Sequence, residues 1–493
     1  MSKTNYLRNM IAIVICLAAT TFSAQAQIGN VVRRAANAAT GSSSGSTTAQ
    51  PAVSPASSAA GATLYVCFTN GAGSRTANGS KETPYKDLQA AIDAAPSGSK
   101  LLISEGNYLG RMEQGYIEIK DKYLHLEGGW NAGFTERNYM KYRTMIQPGV
   151  EQIGTSGAYS MLNIFVKFGT QTANLNSQMI IDGIIFDGGE INPYWKPIPE
   201  DPRTGTPPGV ETGQTVEPDA SISIPLRQGS TSTRRGIHGE VQGIMIIRNC
   251  VFINCYNYGI QMQNDGGAWE IYNNLFVSCR MASCEVRGHG GIPEDKTSLK
   301  FYNNTVLFTW TRTKLMEDMG YGFRYMTRMN YDVYDNIFGC NYYGALDRTR
   351  FDSDLQRDKI RKTNAFNNLF FANTMGDICL PSGGGMWNFQ FAKNFEEVEQ
   401  LEKYEGNREL NQAEAQTFSA ALSAPYFHGF MGLTVSSTSK FNENSVMNQW
   451  RSALGMNMRG TETVRVSMWG NRYPIADINK LWGVIPGKGA QIK

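Results

Sequence analysis

What this chain lacks narrows its class before any motif is read. Charged residues are only 18% of its 493 positions, and 46 Lys plus Arg against 43 Asp plus Glu leave a net charge of +3. No field of one sign exists to hold a polyanion, so nucleic acid is not an expected partner. Histidine occurs four times, and no Cys-x-x-Cys or His-Glu-x-x-His spacing accompanies it, which argues against a structural zinc site. The eight cysteines are spread thinly, and their number becomes odd once Cys16 is set aside with the leader described below. No dense disulfide framework staples such a chain. Proline is limited to 18 residues while glycine reaches 51 and aromatics 11%, the balance of a turn-rich, well-packed protein. The length exceeds what one compact core organises, so the choice is between several domains and one elongated repeat.

Residues 1–26 carry Lys3 and Arg8, an apolar run from Met10 to Ala19, and Ala24-Gln25-Ala26. That is the layout of a secretory signal with its cleavage site, so export to the periplasm, cell surface or medium is expected. Ile15, which is not small, stands where a lipoprotein would need a small residue before Cys16. No later run nears the roughly 20 apolar residues of a membrane helix, and no membrane span is expected in the mature chain. Residues 27–63 are dominated by Ala, Ser, Gly and Thr, which bury too little apolar surface to offset ordering, and read as a flexible tether.

The folded part opens with the apolar strand Leu64 to Asn70. A helix is expected next, starting at Thr83-Pro84 and presenting Leu88, Ala91, Ile92 and Ala95 on one side before Pro96-Ser97-Gly98 ends it. Short, evenly punctuated β runs follow, and a motif then recurs. Ile247 to Phe252, Ile271 to Phe276, Phe301 to Val306, Val333 to Phe338 and Ala365 to Phe370 each place an Asn or Asp before a second polar or apolar step into two apolar residues. Ile180 to Phe186 is a looser member. A motif repeating at intervals of roughly 24 to 32 residues marks a solenoid whose coils bury their apolar sides only against each other. Period-two alternation within each repeat makes the coils strands, not helices. Stacking puts Asn249, Asn273, Asn303, Asp335 and Asn367 in one column, with Asn274, Asn304, Asn336 and Asn368 beside it. Asn suits such a corner because it tolerates left-handed backbone angles and its amide can bond the Asn above and below.

With these repeats and the segment Asp87 to Ala95, which looks like the helix that caps such a stack, the chain resembles the right-handed parallel β-helix superfamily, including pectate lyases. Its exported, Gly- and Asn-rich style is also similar to β-helix proteins of the Bacteroidota. The resemblance implies an all-β fold, a right-handed parallel β-helix over residues 64–385 with an N-terminal cap helix. A mixed α/β capping region is expected over 386–493, where helical patterns replace the repeat. Residues 187–237 hold eight prolines, too many for ladder strands, and are expected to leave the stack as a long loop.

Alternation places Ile260, Cys284 and Leu346 inside the coils and Gln261, Glu285 and Asp347 in one outward row. Gln263, Arg287 and Glu317 fall in the next, with Thr313 to Asp318 as the strand of the intervening coil. Adjacent coils lie about 4.8 Å apart, so these side chains form one polar strip. An acidic-sugar lyase needs a cation to neutralise the uronate carboxylate and a base to take the neighbouring proton. On that expectation Arg287 or Lys314 is base or charge stabiliser, with Glu285 in the catalytic set. Glu285 and Asp347 are candidates for Ca²⁺ or substrate hydroxyls, and Gln261, Gln263, Glu317 and Asp318 bind substrate. Tyr321, Tyr325, Tyr342, Tyr343 and Trp310 border the strip and would stack on sugars if exposed, or pack as core if not.

The alternative for Arg287 is plain pairing with Glu285 and Glu317 on a solvated face. Gly288-His289-Gly290 is similar to the Gly-His-Gly of polygalacturonases, but the upstream Asp pair and downstream Arg-Ile-Lys of that family have no counterpart, so it reads as a turn. A hydrolase would need two facing carboxylates, for which Glu285 and Asp318 could be proposed. Cys255 and Cys279 should be neighbours, as thiols or a disulfide. The expected function is therefore an exported protein that binds, or binds and cleaves, a uronic-acid polysaccharide. The rival is a non-catalytic surface, adhesion or partner-binding protein.

Overall fold

The computed structural model describes residues 61–110, 116–148, 159–188, 233–310, 320–326, 328–341, 344–348, 362–373, 376–381, 389–392, 403–431, 446–453 and 473–492. The leader, nearly all of the tether, most of the proline-rich segment, and Lys314, Glu317, Asp318, Tyr342 and Tyr343 lie outside them.

Three nine-stranded sheets run side by side, and each coil gives one strand to each. The coil beginning at Gly267 shows the plan. Gly267–Tyr272 lies in the first sheet, Leu275–Val277 in the second and Ala282–Gly288 in the third. Each pairs in parallel with the equivalent strand of the next coil. The exception among described strands closes the third sheet, where Phe389–Ala392 returns antiparallel on Ile378–Pro381. The fold is a right-handed parallel β-helix, the hand that parallel crossovers take.

The two asparagine columns divide the work of the first corner. Asn249, Asn273, Asn303, Asp335 and Asn367 are the left-handed residues, with φ between 50° and 55°. The column beside them is buried and forms the ladder. Asn274, Asn304, Asn336 and Asn368 each donate through Nδ2 to the Oδ1 of the next member, at 3.0, 3.1, 2.9 and 3.0 Å, and the row ends on Asn407. Each Oδ1 also accepts a backbone N–H, so a ladder position loses several bonds at once if the amide is removed. A second left-handed corner follows five residues later, at Asn254, Ser278, Phe308, Cys340 and Ala372.

Between these corners each second-sheet strand is three residues long, and all three are buried. The middle residue points inward, where Phe186, Phe252 and Phe276 stack at 5.0 and 4.8 Å. The outer two belong to a separate apolar cluster formed with the end of the chain. There Val251, Ile253, Leu275, Val277, Leu307 and Ile337 meet Phe418, Trp450, Tyr473, Leu481, Trp482 and Ile485. The C-terminal residues are thus laid along the flank of the stack as well as over its end. The last described stretch is pinned to the corner columns: the Tyr473 N–H donates to Asn254 Oδ1 at 2.8 Å, and the Gln491 N–H to Asn273 Oδ1 at 2.7 Å.

Three expectations change. The helix is Leu88–Ala94, capped by Asp87, whose Oδ1 accepts the Ala90 N–H at 2.7 Å, so it begins later than Thr83-Pro84. The third-sheet strand Thr233–Val241 begins inside the expected proline-rich loop, residues 187–237, and runs past its end; the loop's prolines all precede this strand, which therefore keeps every ladder donor. The strand beside Ala282–Gly288 is Tyr321–Tyr325, not Thr313 to Asp318. The connection after Leu307 is longer than in the preceding coils, which moved the count.

Candidate functional site

The outer face of the third sheet carries the polar strip. Because Ile237, Leu162, Ile260, Cys284, Phe323 and Leu346 are inward, the alternate residues face out. Their register gives one level running Glu118, Asn163, His238, Gln261, Glu285, Arg324, Asp347 and Cys379. A second level runs Lys120, Phe165, Glu240, Gln263 and Arg287. Gln261, Glu285 and Asp347 share a level, and Gln263 and Arg287 the next. Arg324 was missed because the strand assigned to its coil was the wrong one.

Arg324 changes the meaning of the two carboxylates. Its Nη1 donates to Glu285 Oε2 and its Nε to Asp347 Oδ2, each at 2.6 Å, with side-chain exposures of 3%, 8% and 0% for Arg324, Glu285 and Asp347. Gln261 Nε2 donates to the other Glu285 oxygen at 2.8 Å. Burial alone would favour a neutral guanidine, but Asp347 and Glu285 outweigh it and hold Arg324 firmly protonated. The guanidinium fills the place between the carboxylates that Ca²⁺ would require, so Glu285 and Asp347 do not fit a cation site. It also removes Glu285 from the set that can touch substrate. A buried, fully bonded ion triplet organises the face; it does not do chemistry on a ligand.

The aromatic expectations also change. Tyr325 is fully buried, turned inward against Phe323 and Tyr331, and its hydroxyl donates to Asn364 O at 3.1 Å. Trp310 is buried as well. Tyr321 is 2% exposed, and its hydroxyl donates to Cys379 Sγ at 3.5 Å. Burial, with the Asp347 charge added, pushes its phenol far up. Tyr258 stands nearby, its phenol pushed up to about 12 by burial and then by Glu285. Neither ring offers a face to a sugar.

The open half of the strip lies toward the earlier coils. His238, Glu240, Gln261 and Gln263 are half-buried and Arg287 is exposed. Among the described residues Arg287 has no ion-pair partner, so its expected pairing with Glu285 is replaced by the Arg324 triplet. Gln263 Nε2 donates to Asp265 Oδ1 at 2.9 Å, and the other Asp265 oxygen accepts the Phe168 N–H at 2.8 Å. That bond holds the exposed Phe168 ring at the border of the strip, 5.4 Å from the His289 ring and tilted by 43°. Half-buried Phe165 lies edge-on to His238. Among the described residues, these are the aromatic rings of the strip that a ligand could reach. His289 itself sits in a bend where its Nδ1 accepts the Gly291 N–H at 3.0 Å, as expected of a turn. Sequence reading passed over His238 because the first half of its strand fell in the expected loop, residues 187–237; its signal was the alternation Ile237, Gly239, Val241 against His238, Glu240.

Two features of the first sheet compete for notice. His125, Glu127 and Asp182 bring potential ligand atoms within 4.8 Å of one another. Lys100 lies 2.8 Å from Glu127, however, and Arg137 and Arg248 lie 2.7 and 2.8 Å from Asp182. Three cations already balance two carboxylates, and both Asp182 oxygens are taken, so a metal ion is disfavoured. Tyr272, Tyr302, Tyr334 and Phe366 form an outer ladder stacked at 4.8 to 4.9 Å. Tyr302 and Tyr334 are thus covered on both faces, and Lys403 Nζ lies over the Phe366 ring, 4.3 Å from its centroid. Cys255 and Cys279 are adjacent buried free thiols, and their mutual hydrogen bond, with burial, raises the Cys255 thiol.

Similarity to known proteins is confined to architecture. No protein-family model and no curated protein matches the chain. Among solved structures it is similar to a rhamnogalacturonan lyase, with 10% identity over 64% of this chain and 73% of that one, at a TM-score of 0.30. The pectate lyase Pel9A shares 11% identity over 71% and 78%, at 0.34. The pectin methylesterase PemA from Erwinia chrysanthemi shares 13% over 72% and 94%, at 0.24. The fold assignment rests on the three sheets themselves.

Proposed function

We propose that this is an exported protein that binds an acidic polysaccharide along the open half of the third sheet. The observation that carries the reading is Arg287, exposed and without an ion-pair partner among the described residues, beside half-buried Gln261 and Gln263 and within a strip bordered by the exposed Phe168 ring. Side chains repeating at about 4.8 Å suit an extended polymer of similar repeat. An arginine supplies two parallel donors for a carboxylate, amides bond hydroxyls, and an exposed ring stacks on a sugar. Lys120, exposed on the same side, extends the cationic character toward the first coils, while Lys167 is balanced by Glu240 at 3.2 Å. A partner-binding role without catalysis is favoured by one observation, the locking of Glu285 and Asp347 onto Arg324.

The test is calorimetric titration with polygalacturonate, alginate and a neutral glucan. At least one acidic polymer should bind and the neutral one should not, with affinity falling as salt rises. Arg287→Ala should weaken binding about tenfold, near 1.4 kcal/mol. Equal binding by wild type and variant would refute the assignment.

A further inference from the structure

The repeat places an aromatic residue just before four left-handed corners, at Tyr272, Tyr302, Tyr334 and Phe366, and neither the corners nor the third-sheet strip accounts for them. Ile271, Phe301, Val333 and Ala365, one residue earlier, point into the coils, so the four rings stand on the outer face of the first sheet, half-buried. Their planes differ by only 8°, 3° and 3° from one coil to the next. One straight, untwisted line of ring edges therefore runs along the solenoid axis for three coil spacings, about 14 Å. The rings are also held in place: Arg248 Nη1 donates to the Tyr272 hydroxyl and the Tyr302 hydroxyl donates to Glu270 Oε2, each at 3.1 Å. A ligand meeting this edge would not have to order it first.

A second outward row, Glu270, Lys300, Asp332 and Asn364, stands in register two residues earlier on the same strands. Because the residue between the rows points inward on every strand, the two rows wall a groove floored by backbone, about 7 Å from row to row and parallel to the solenoid axis. Its charges do not cancel. Lys300 lies 3.7 Å from Glu270, and the cations at the two ends, Arg248 and Lys403, are 2.8 Å from Asp182 and 3.5 Å from Glu405. Asp332 is half-buried, accepts the Asn364 amide at 2.7 Å, and has no cation partner among the described residues. Tyr334, on the facing wall, registers the excess: burial and then Glu270, Asp332 and Asp335 push its phenol up to about 12.

We propose that this groove is a binding site for an elongated, planar aromatic cation, lying along the solenoid axis with its flat face against the ring edges and its charge at Asp332. The ladder rings lie across the axis and the ligand along it, so each rung meets the ligand edge to face, a favoured aromatic geometry. A flat rod of linked rings touches all four rungs at once, whereas a compact ligand reaches one or two. The site is on the first sheet, and it stands or falls independently of glycan binding on the third.

The test titrates the full chain, cleared of aggregate, with thioflavin T, a planar aromatic cation whose emission rises when its rings are held flat. Emission should rise and saturate on the folded wild type. Tyr334→Thr keeps a strand-forming residue but interrupts the ladder, and it should weaken binding about tenfold, while Tyr334→Phe, which restores the rung, should stay within about twofold of wild type. Asp332→Asn should weaken binding about threefold at low salt and less at high salt. Urea transitions of the same variants establish that each is folded. No saturable emission with the wild type, or equal binding by Tyr334→Thr and wild type, overturns the site. A planar dye of the same length carrying sulfonates, if bound as tightly as the cation, overturns the assigned ligand class.

Discussion

The second and third sheets are wound from the same coils, yet their outer faces are opposite in kind. On the second, most residues flanking the inward Phe or Val are apolar and are covered by the C-terminal residues, with Tyr473, Leu481, Trp482 and Ile485 clustered with Val251, Leu275, Leu307 and Ile337. On the third, the equivalent positions are His238, Gln261, Glu285, Arg324 and Asp347, half-exposed at one end and buried as an ion triplet at the other. A solenoid coil therefore fixes only its interior. What each outer face becomes depends on what the rest of the chain lays against it, and here one flank is closed with apolar packing while another is left polar and partly open.

Removing the cover from the closed flank should have the largest effect. Truncation before Tyr473 uncovers a row of apolar strands and deletes the bonds to Asn254 and Asn273, so the shortened protein should bind a hydrophobic dye and lose its cooperative urea transition. Trp482→Ala, at a site only 4% exposed, isolates one part of this and should cost about 3–5 kcal/mol. A loss under about 1 kcal/mol in urea would mean that the flank is closed by something other than this packing.

Breaking the buried end of the polar face comes next. Arg324→Met strands two carboxylates and should destabilise by about 3–5 kcal/mol, whereas adding Glu285→Gln and Asp347→Asn to it should recover most of the loss. A triple variant no more stable than the single one would show that Arg324 matters through its packing and not its charge.

The sequence makes the coils legible because a residue column has a physical job that recurs. Asn273 and Asn303 had to be at corners, since a left-handed residue that can bond its own neighbours is a narrow requirement, and the structure puts each there. Alternation likewise identified Ile260 and Cys284 as inward and Gln261 and Glu285 as outward. Two things were not legible. The length of a connection is not set by any repeating contact, so Tyr321–Tyr325 was missed in favour of Thr313 to Asp318, and Arg324 with it. Burial of outward residues depends on partners far along the chain, so nothing near Glu285 announced that it would be enclosed, and nothing near Val251 named Tyr473 as its cover.

The corner ladder is common to both faces and offers a control. Asn336→Ala leaves the backbone N–H of Asn304 and the carbonyl of Phe301 without their side-chain partner, for an expected loss of about 1–3 kcal/mol. Glycan binding by the folded fraction should be unchanged, because the ladder lies at the other end of the coil from the strip. A loss of binding larger than the loss of stability would show that the corners tune the third sheet's register.

The smallest structural effect is expected where the functional one is proposed. Arg287 is exposed and carries no ion pair among the described residues, so Arg287→Ala should change stability by no more than about 0.5 kcal/mol. If the open face exists to meet a polyanion, the same change should still weaken binding about tenfold, and more at low salt than at high, because it removes a positive charge that has no ion pair among the described residues. A closed flank shows the reverse pattern, in which every loss of affinity follows a loss of fold. Measuring denaturation and titration on the one variant therefore separates the two faces directly: an arginine whose removal lowers stability and binding in step belongs to the packing, and one that lowers binding alone belongs to a surface kept open for a ligand.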